Sequence, residues 1–222
     1  MGLFRKKKET VNRLPIWEQT SSFMCDESEG DHGKEAILDY ELSWLIRQAK
    51  DGNYPLDVIA KKALLQLIEK HDIIEYVEED SDNYYDVEFP EVKVWKQWKR
   101  IDLIAEVTLC FKDKEEKHLV VIEDKAYTRV HDNQLDRYSD IVNECYNTDE
   151  FKKHFCVVTF FGDYDPYYDE LGNECNAAKE DWTLIGSEDI INLNDQEKEK
   201  FIDSYLGTGD ERFDDFWLRR WS

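Results

Sequence analysis

The sequence is poor in the residues that staple small folds or anchor chains in membranes. It has only five cysteines (Cys25, Cys110, Cys145, Cys156, Cys175), scattered, odd in number and without a CxxC pair. That excludes a disulfide framework or a zinc ribbon, both of which need dense, paired spacing. The thiols read as reduced core or surface residues. His131 and His154 stand too far apart to pair on one helix around zinc, so no structural metal is expected. No apolar run approaches the roughly 20 residues of a membrane span. The first residues, MGLFRKKKE, hold no apolar stretch long enough for a signal peptide, and Lys6 stands where a myristoylation motif wants Ser or Thr. A soluble, cytoplasmic protein is the expectation.

Positive charge is also scarce. Lys and Arg number 29 against 51 Asp and Glu, a formal net charge of -22 with a sequence pI near 4.6. Such a balance opposes nonspecific attraction to nucleic acid, whose phosphates reward basic surfaces. The charge is unevenly spread, however. Lys93 to Arg137 holds ten basic and nine acidic residues, +1, which leaves -23 for the remainder. One segment is therefore far less repulsive to a polyanion than the rest. What the chain has in quantity is core material: 222 residues, 41% hydrophobic, 14% aromatic, with seven Trp. That composition suits one folded domain with a sizeable core and speaks against wholesale disorder.

Residues 1–33 read as a tail, partly ordered at most, with a basic start and the polar stretch CDESEGDHG. Leu38, Leu42 and Leu45 recur on one helical face over residues 34–50, with Gly52 as the stop. Pro55 opens a second helix bearing Val58, Ile59, Ala63, Leu64, Leu67 and Ile68. Glu78 to Asp86 reads as a solvated loop or edge, and Tyr84 to Trp95 as a half-buried strand. Arg100 to Phe111 and His118 to Tyr127 read as better strands, forming a hairpin across the charged turn KDKEEK. Asn133 to Tyr146 follows as a helix, Phe155 to Phe161 as a buried strand and Trp182 to Ile185 as a short edge strand. Helical stretches at residues 196–205 and 210–221 close the chain. Helices, then a strand meander, then a helix between strands, predict an α/β sandwich with a mixed sheet. The division is a tail at 1–33, a domain at 34–192 and a helical extension at 193–222 packed on the core.

Two strands carry acids where apolar residues belong. In RIDLIAEV, Asp102 and Glu106 face away from the stripe of Ile101, Leu103, Ala105 and Val107. In HLVVIEDKAY, Glu123 and Lys125 share a face while Asp124 points away. An acid inside an apolar strand is costly unless solvated, paired or bound to metal. Any hairpin register whose paired numbers sum to an odd value puts Asp102, Glu123 and Lys125 on one side of the sheet. Such neighbours lie roughly 4.5–8 Å apart, close enough for two carboxylates to hold one divalent cation.

Asp102 followed by Glu123-Asp124-Lys125 resembles the PD-(D/E)XK nuclease superfamily. Gln134-Leu135-Asp136-Arg137-Tyr138 is similar to the Q-x-x-x-Y motif of its RecB-type branch, with Gln134 and Tyr138 on one helix face. Glu35, nine residues before Trp44, resembles the helical Glu of an uncharacterised bacterial branch, although Asp39 stands where Thr is common there. VVTFFGDYDP and WTLIGSEDIINL resemble the last core strands of that branch. Ile101 replaces the Pro of the superfamily's name. The resemblance spans roughly residues 34–192. It implies a restriction-endonuclease-like core, a central mixed β-sheet flanked by helices. It also implies Mg²⁺ (or Mn²⁺) held by Asp102, Glu123 and the Asp124 backbone carbonyl, with Lys125 activating or orienting water. Glu35, Gln134 and Tyr138 complete the implied catalytic set, Glu41 being the alternative helical carboxylate. Arg100, Arg129 and Arg137 are candidate phosphate contacts, a reading of equal weight with plain solvated charge.

Two function classes follow. The first is a metal-dependent nuclease acting on nucleic acid, DNA before RNA. The second is a binding protein, either a catalytically silent nuclease-like fold or an acidic DNA mimic. Net charge favours the second; the joint D, E-x-K and Q-x-x-x-Y set favours the first, since a mimic needs no Lys between carboxylates. A homodimer or protein partner stays open.

Overall fold

The computed structural model describes residues 34–52, 56–79, 81–125, 129–131, 133–159, 166–168, 172–174 and 180–190, without the side chains at 34–38, 81–82 and 187–188. The expected tail and both C-terminal helical stretches lie outside them, as do Pro55 and the last two residues, Phe160 and Phe161, of the strand expected at 155–161. Three helices lead: α1 (Lys34–Asp51), α2 (Leu56–Leu67) and α3 (His71–Glu79). A 3-10 turn at Ser81–Asp86 delivers the chain to β1 (Val87–Trp98), β2 (Ile101–Phe111) and β3 (Lys114–Lys125). Helix α4 (Gln134–Cys145) precedes β4 (Lys152–Thr159), and β5 (Thr183–Gly186) runs into the short α5 (Ser187–Ile190).

The five strands form one sheet in sequence order, with β1, β2 and β3 antiparallel and β3, β4 and β5 parallel. The sheet is mixed, as expected. A parallel neighbour requires a crossover, and α4 supplies it between β3 and β4. The centre strand β3 is buried on both faces from His118 to Lys125, which is why its LVVI run is continuously apolar and not alternating.

Each face of the sheet carries its own core. On one side Leu42, Leu45 and Ile46 of α1 and Leu64 and Leu65 of α2 pack with Leu103, Val107, Val120 and Ile122. On the other, Leu135, Tyr138 and Val142 of α4 pack with Ile104, Leu119 and Val121. Gly52 closes α1: its N–H donates to the Gln48 carbonyl at 2.8 Å, and a Cβ there would meet that oxygen at 2.4 Å.

Three expectations need correction. The β2–β3 turn is two residues, Lys112 and Asp113, both in the left-handed region, and Lys114 to Lys117 extend β3. The charged run belongs to a ladder whose outer end is solvated, so polarity there marks exposure and not a loop. Helix α3 is a separate element that the sequence does not set apart; Ile73 and Val77 are its buried residues. The strands β1 and β4 are displaced by about three residues from their expected starts, within the usual slack of boundary reading. No described helix is long and apolar enough to cross a membrane.

Candidate active site

The C-terminal end of β3 meets the N-terminal end of β2, because Leu103 pairs with Ile122 and the register sum is odd. Asp102 therefore stands beside Glu123, as the alternation argument required. Glu123 and Asp124 are each 1% exposed and Lys125 5%, whereas Asp102 is half-buried and gives the group its opening to solvent. Burying three charges in succession is costly unless each finds a partner.

Glu123 points to the α4 side. Its Oε1 accepts from Lys125 Nζ and from Gln134 Nε2, the latter at 2.6 Å. Gln134 Nε2 also donates to the Tyr138 hydroxyl at 3.1 Å, and its Oε1 accepts from the His131 N–H at 3.3 Å. Tyr138 in turn donates to the backbone carbonyl of Arg100, tying α4 to the β1–β2 turn. The i, i+4 spacing thus brings Gln134 and Tyr138 together on one face, against the E-x-K strand. Burial pushes the Glu123 carboxyl up to about 9, with the Asp102 charge adding to the rise and Lys125 opposing it. Burial likewise raises the Tyr138 hydroxyl, against the Gln134 hydrogen bond.

Asp124, alternating with Glu123, points to the α1 side. There it meets Asp39, and carboxylate oxygens of Asp39, Asp102 and Asp124 all lie within 4.8 Å of one another. Asp102 reaches both sides: its Oδ2 accepts the Asp124 N–H at 3.2 Å. The alternation falters at this point, for Ile101 packs in the α4-side core while Leu103 packs in the other. Gln97, flanked by the pairs that close the β1–β2 hairpin, is left-handed at φ 54. Its amide donates to Asp102 Oδ1 at 3.0 Å and to Asp39 Oδ2 at 3.1 Å. Burial lifts Asp39 to about 7, helped by the Asp102 charge, and burial with the Asp39 and Asp102 charges lifts Asp124 well above the usual carboxylate range. Clustered carboxylate oxygens are the donors a hard divalent cation takes, so the residues present fit Mg²⁺ or Mn²⁺.

A family model of the PD-(D/E)XK nuclease superfamily matches residues 42–207, three quarters of the chain. The chain belongs to the PD-(D/E)XK nuclease superfamily. Its five-stranded mixed sheet flanked by helices is the restriction-endonuclease-like architecture that membership implies. No curated protein and no solved structure matches the chain at a significant level. The superfamily's name describes an Asp and a later (D/E)-x-K tripeptide, the pattern that Asp102 and Glu123-Asp124-Lys125 present.

The residues singled out from the sequence fall into two groups. Asp102, Glu123, Lys125, Gln134 and Tyr138 form one connected constellation. Glu35 lies in α1, but its side chain is outside the described residues; Glu41 is fully buried, and the α1 acid in the Asp102 cluster is Asp39. Sequence reasoning missed Asp39 and Gln97. Asp39 had a signal: it replaces a Thr that the resemblance leads one to expect. Gln97 had none, because its role comes from a left-handed backbone in a polar stretch of β1.

Proposed function

We propose that the protein is a divalent-cation-dependent nuclease that hydrolyses phosphodiester bonds, with DNA as its substrate. The observation that carries this reading is Asp102 beside a Glu123 gripped by Lys125 and Gln134, in a chain of this superfamily. In the reading, Asp102, Glu123 and the Asp124 carbonyl hold Mg²⁺ or Mn²⁺. What such a cation supplies is charge stabilisation at the phosphate and a lower pKa for bound water.

The chain's own residues do the rest. Lys125 places a cation where charge grows on the scissile phosphate and orients the attacking water. Gln134 fixes the Glu123 carboxyl through one N–H, and Tyr138 locks Gln134 and the β1–β2 turn in register. Glu35 is kept as a candidate from α1. Because the buried Glu123 holds its proton up to about pH 9 before loading, cation binding has to release a proton. Arg100, whose carbonyl Tyr138 bonds, Arg137, over the Tyr138 ring, and Arg129 are the candidate phosphate contacts.

The alternative, a silent nuclease-like binding protein or acidic DNA mimic, draws on the net charge of -22. A cleavage assay of the full chain over duplex DNA, single-stranded DNA and RNA, with Mg²⁺ or Mn²⁺ against EDTA, decides between them. Cation-dependent product supports the nuclease; no cleavage of any substrate, together with no calorimetric Mg²⁺ or Mn²⁺ binding, supports the binding protein.

A further inference from the structure

The last eight residues before β2 stand apart from the rest of this acidic chain. Lys93 to Arg100 reads KVWKQWKR, four cations and two tryptophans with no acid. Strict alternation would send Trp95 and Trp98 to opposite faces of the sheet. The left-handed Gln97 between them, φ 54, breaks the alternation, and both rings pack against the α4-side core. Both residues stay partly open to solvent, where a tryptophan serving the core alone would gain by full burial. Trp98 is braced from inside. Tyr146 meets it edge-on at 6.1 Å between ring centroids, and is fixed in turn by Phe151 at 5.8 Å and by a 2.9 Å bond to Glu106. Of the four cations, Lys93 is held by Glu91 at 2.5 Å, and Lys96 lies 3.0 Å over the Tyr40 ring. Lys99 and Arg100 are exposed at the turn with no ion pair among the described residues, and Lys99 Nζ stands 5.5 Å from the Trp98 ring centroid. The tip adjoins the constellation: the Arg100 carbonyl takes the Tyr138 hydroxyl, and Tyr138 accepts from the Gln134 that bonds Glu123.

We propose that this hairpin tip binds a single-stranded stretch of DNA next to the scissile phosphate, its bases stacking on Trp98 and Trp95 and its phosphates meeting Lys99 and Arg100. Open aromatic rings interleaved with cations hold single strands, because every unpaired base offers a π-face. A blunt duplex keeps those faces stacked inside and presents one charge per roughly 1.7 Å of axis to a protein of net charge -22. Two cations answer few of those charges, so stacking supplies the affinity that charge does not. The proposal rests on the nuclease reading for the choice of DNA and for the neighbouring scissile phosphate, but not for binding at the tip. It makes DNA with an unpaired stretch, such as a frayed end or an overhang, the preferred substrate.

The test is fluorescence anisotropy of the full chain in EDTA, where metal-dependent cleavage does not interfere, with labelled oligo(dT), oligo(U) and blunt dA·dT duplex of equal length. Wild type should bind oligo(dT) at least about tenfold tighter than the duplex. Trp98→Ala should weaken that binding about tenfold, with its salt dependence unchanged because no charge is lost. Trp98→Phe, which keeps a ring, should stay within about threefold of wild type. Lys99→Gln should make the slope of log affinity against log salt shallower by about 0.7. The proposal is overturned if the duplex binds as tightly as oligo(dT), if oligo(U) binds tighter, or if Trp98→Ala binds as wild type does. Should Trp98→Ala fail to fold, crosslinking of wild type to an iodouracil-substituted DNA strand decides. Adducts within Trp95 to Arg100 support the platform, and adducts confined elsewhere overturn it. A wild type that binds single strands through Trp98 yet cleaves nothing in Mg²⁺ or Mn²⁺ would sink the nuclease reading alone.

Discussion

On the proposed nuclease reading, three residues divide chemistry from support. Asp102→Asn keeps shape and removes the charge that helps raise the Glu123, Asp39 and Asp124 carboxyls, so folding should survive or improve while cleavage falls by on the order of 10²–10³-fold. Lys125→Ala should abolish cleavage to a similar degree yet leave metal binding intact, because both carboxylates remain. Steady-state cleavage beside calorimetric titration separates the two. Tyr138→Phe loses the bond to the Arg100 carbonyl, the acceptor for Gln134 and the hydrogen bond with Arg137, so about tenfold in rate is expected. A Tyr138→Phe defect as large as that of Lys125→Ala would give the hydroxyl a reacting role.

The raised Glu123 carboxyl also predicts a pH dependence. Its folded value of about 9 lies above the ordinary 4.5, so its contribution to stability is complete below about pH 4.5 and is lost as pH rises toward 9. His118 works oppositely: burial lowers it from 6.5 to about 4, so its contribution is lost as pH falls through that window. Above pH 6.5 the carboxyl acts without it. In EDTA the wild-type Tm should fall between pH 6.5 and 9, with the raised Asp39 and Asp124 carboxyls adding a fall of the same sign, and Glu123→Gln should reduce that fall without abolishing it. An unchanged slope in the variant would remove Glu123 as its source.

At the scale of elements, the β1–β2 hairpin is the support of Asp102. Lys99 and Arg100 form its two-residue turn with φ 53 and 72, a conformation that favours glycine over side chains. Arg100→Gly should therefore raise stability by about 1 kcal/mol in a denaturant titration; a loss of stability would mean the arginine side chain anchors the turn. Much at this scale was legible beforehand. The stripes of α1 and α4, the strands around Asp102 and Glu123, and the Gln134/Tyr138 pairing all follow from local periodicity. The width of the β2–β3 turn was not, since charged residues in a solvated ladder look like a loop. Asp39 was missed because helical periodicity assigns a face but not what that face meets across the fold. The sequence marks Asp124 only through its backbone, because alternation sends its side chain away from Glu123 and only the fold brings Asp39 of α1 against it.

For the whole molecule, a net charge of -22 leaves little long-range attraction for a polyanion. Nucleic-acid affinity should then rest on a few local cations, such as Arg100, Arg129 and Arg137. Three phosphate contacts imply a log affinity against log salt slope of about -3 at most. Fluorescence anisotropy with duplex DNA and the Asp102→Asn variant measures it; a slope steeper than about -6 would reveal an extended basic surface that the composition does not supply. A cation that binds only the folded state should also make the Tm in Mg²⁺ or Mn²⁺ higher than in EDTA.

The most direct measurement is cleavage of duplex DNA by wild type and Asp102→Asn, side by side, in Mg²⁺, Mn²⁺ and EDTA. A metal-dependent nuclease built on Asp102 predicts product with wild type in either cation, none in EDTA, and a rate lower by on the order of 10²–10³-fold with Asp102→Asn folded to the same Tm or higher. Cleavage by Asp102→Asn at the wild-type rate, or by wild type in EDTA, would contradict it.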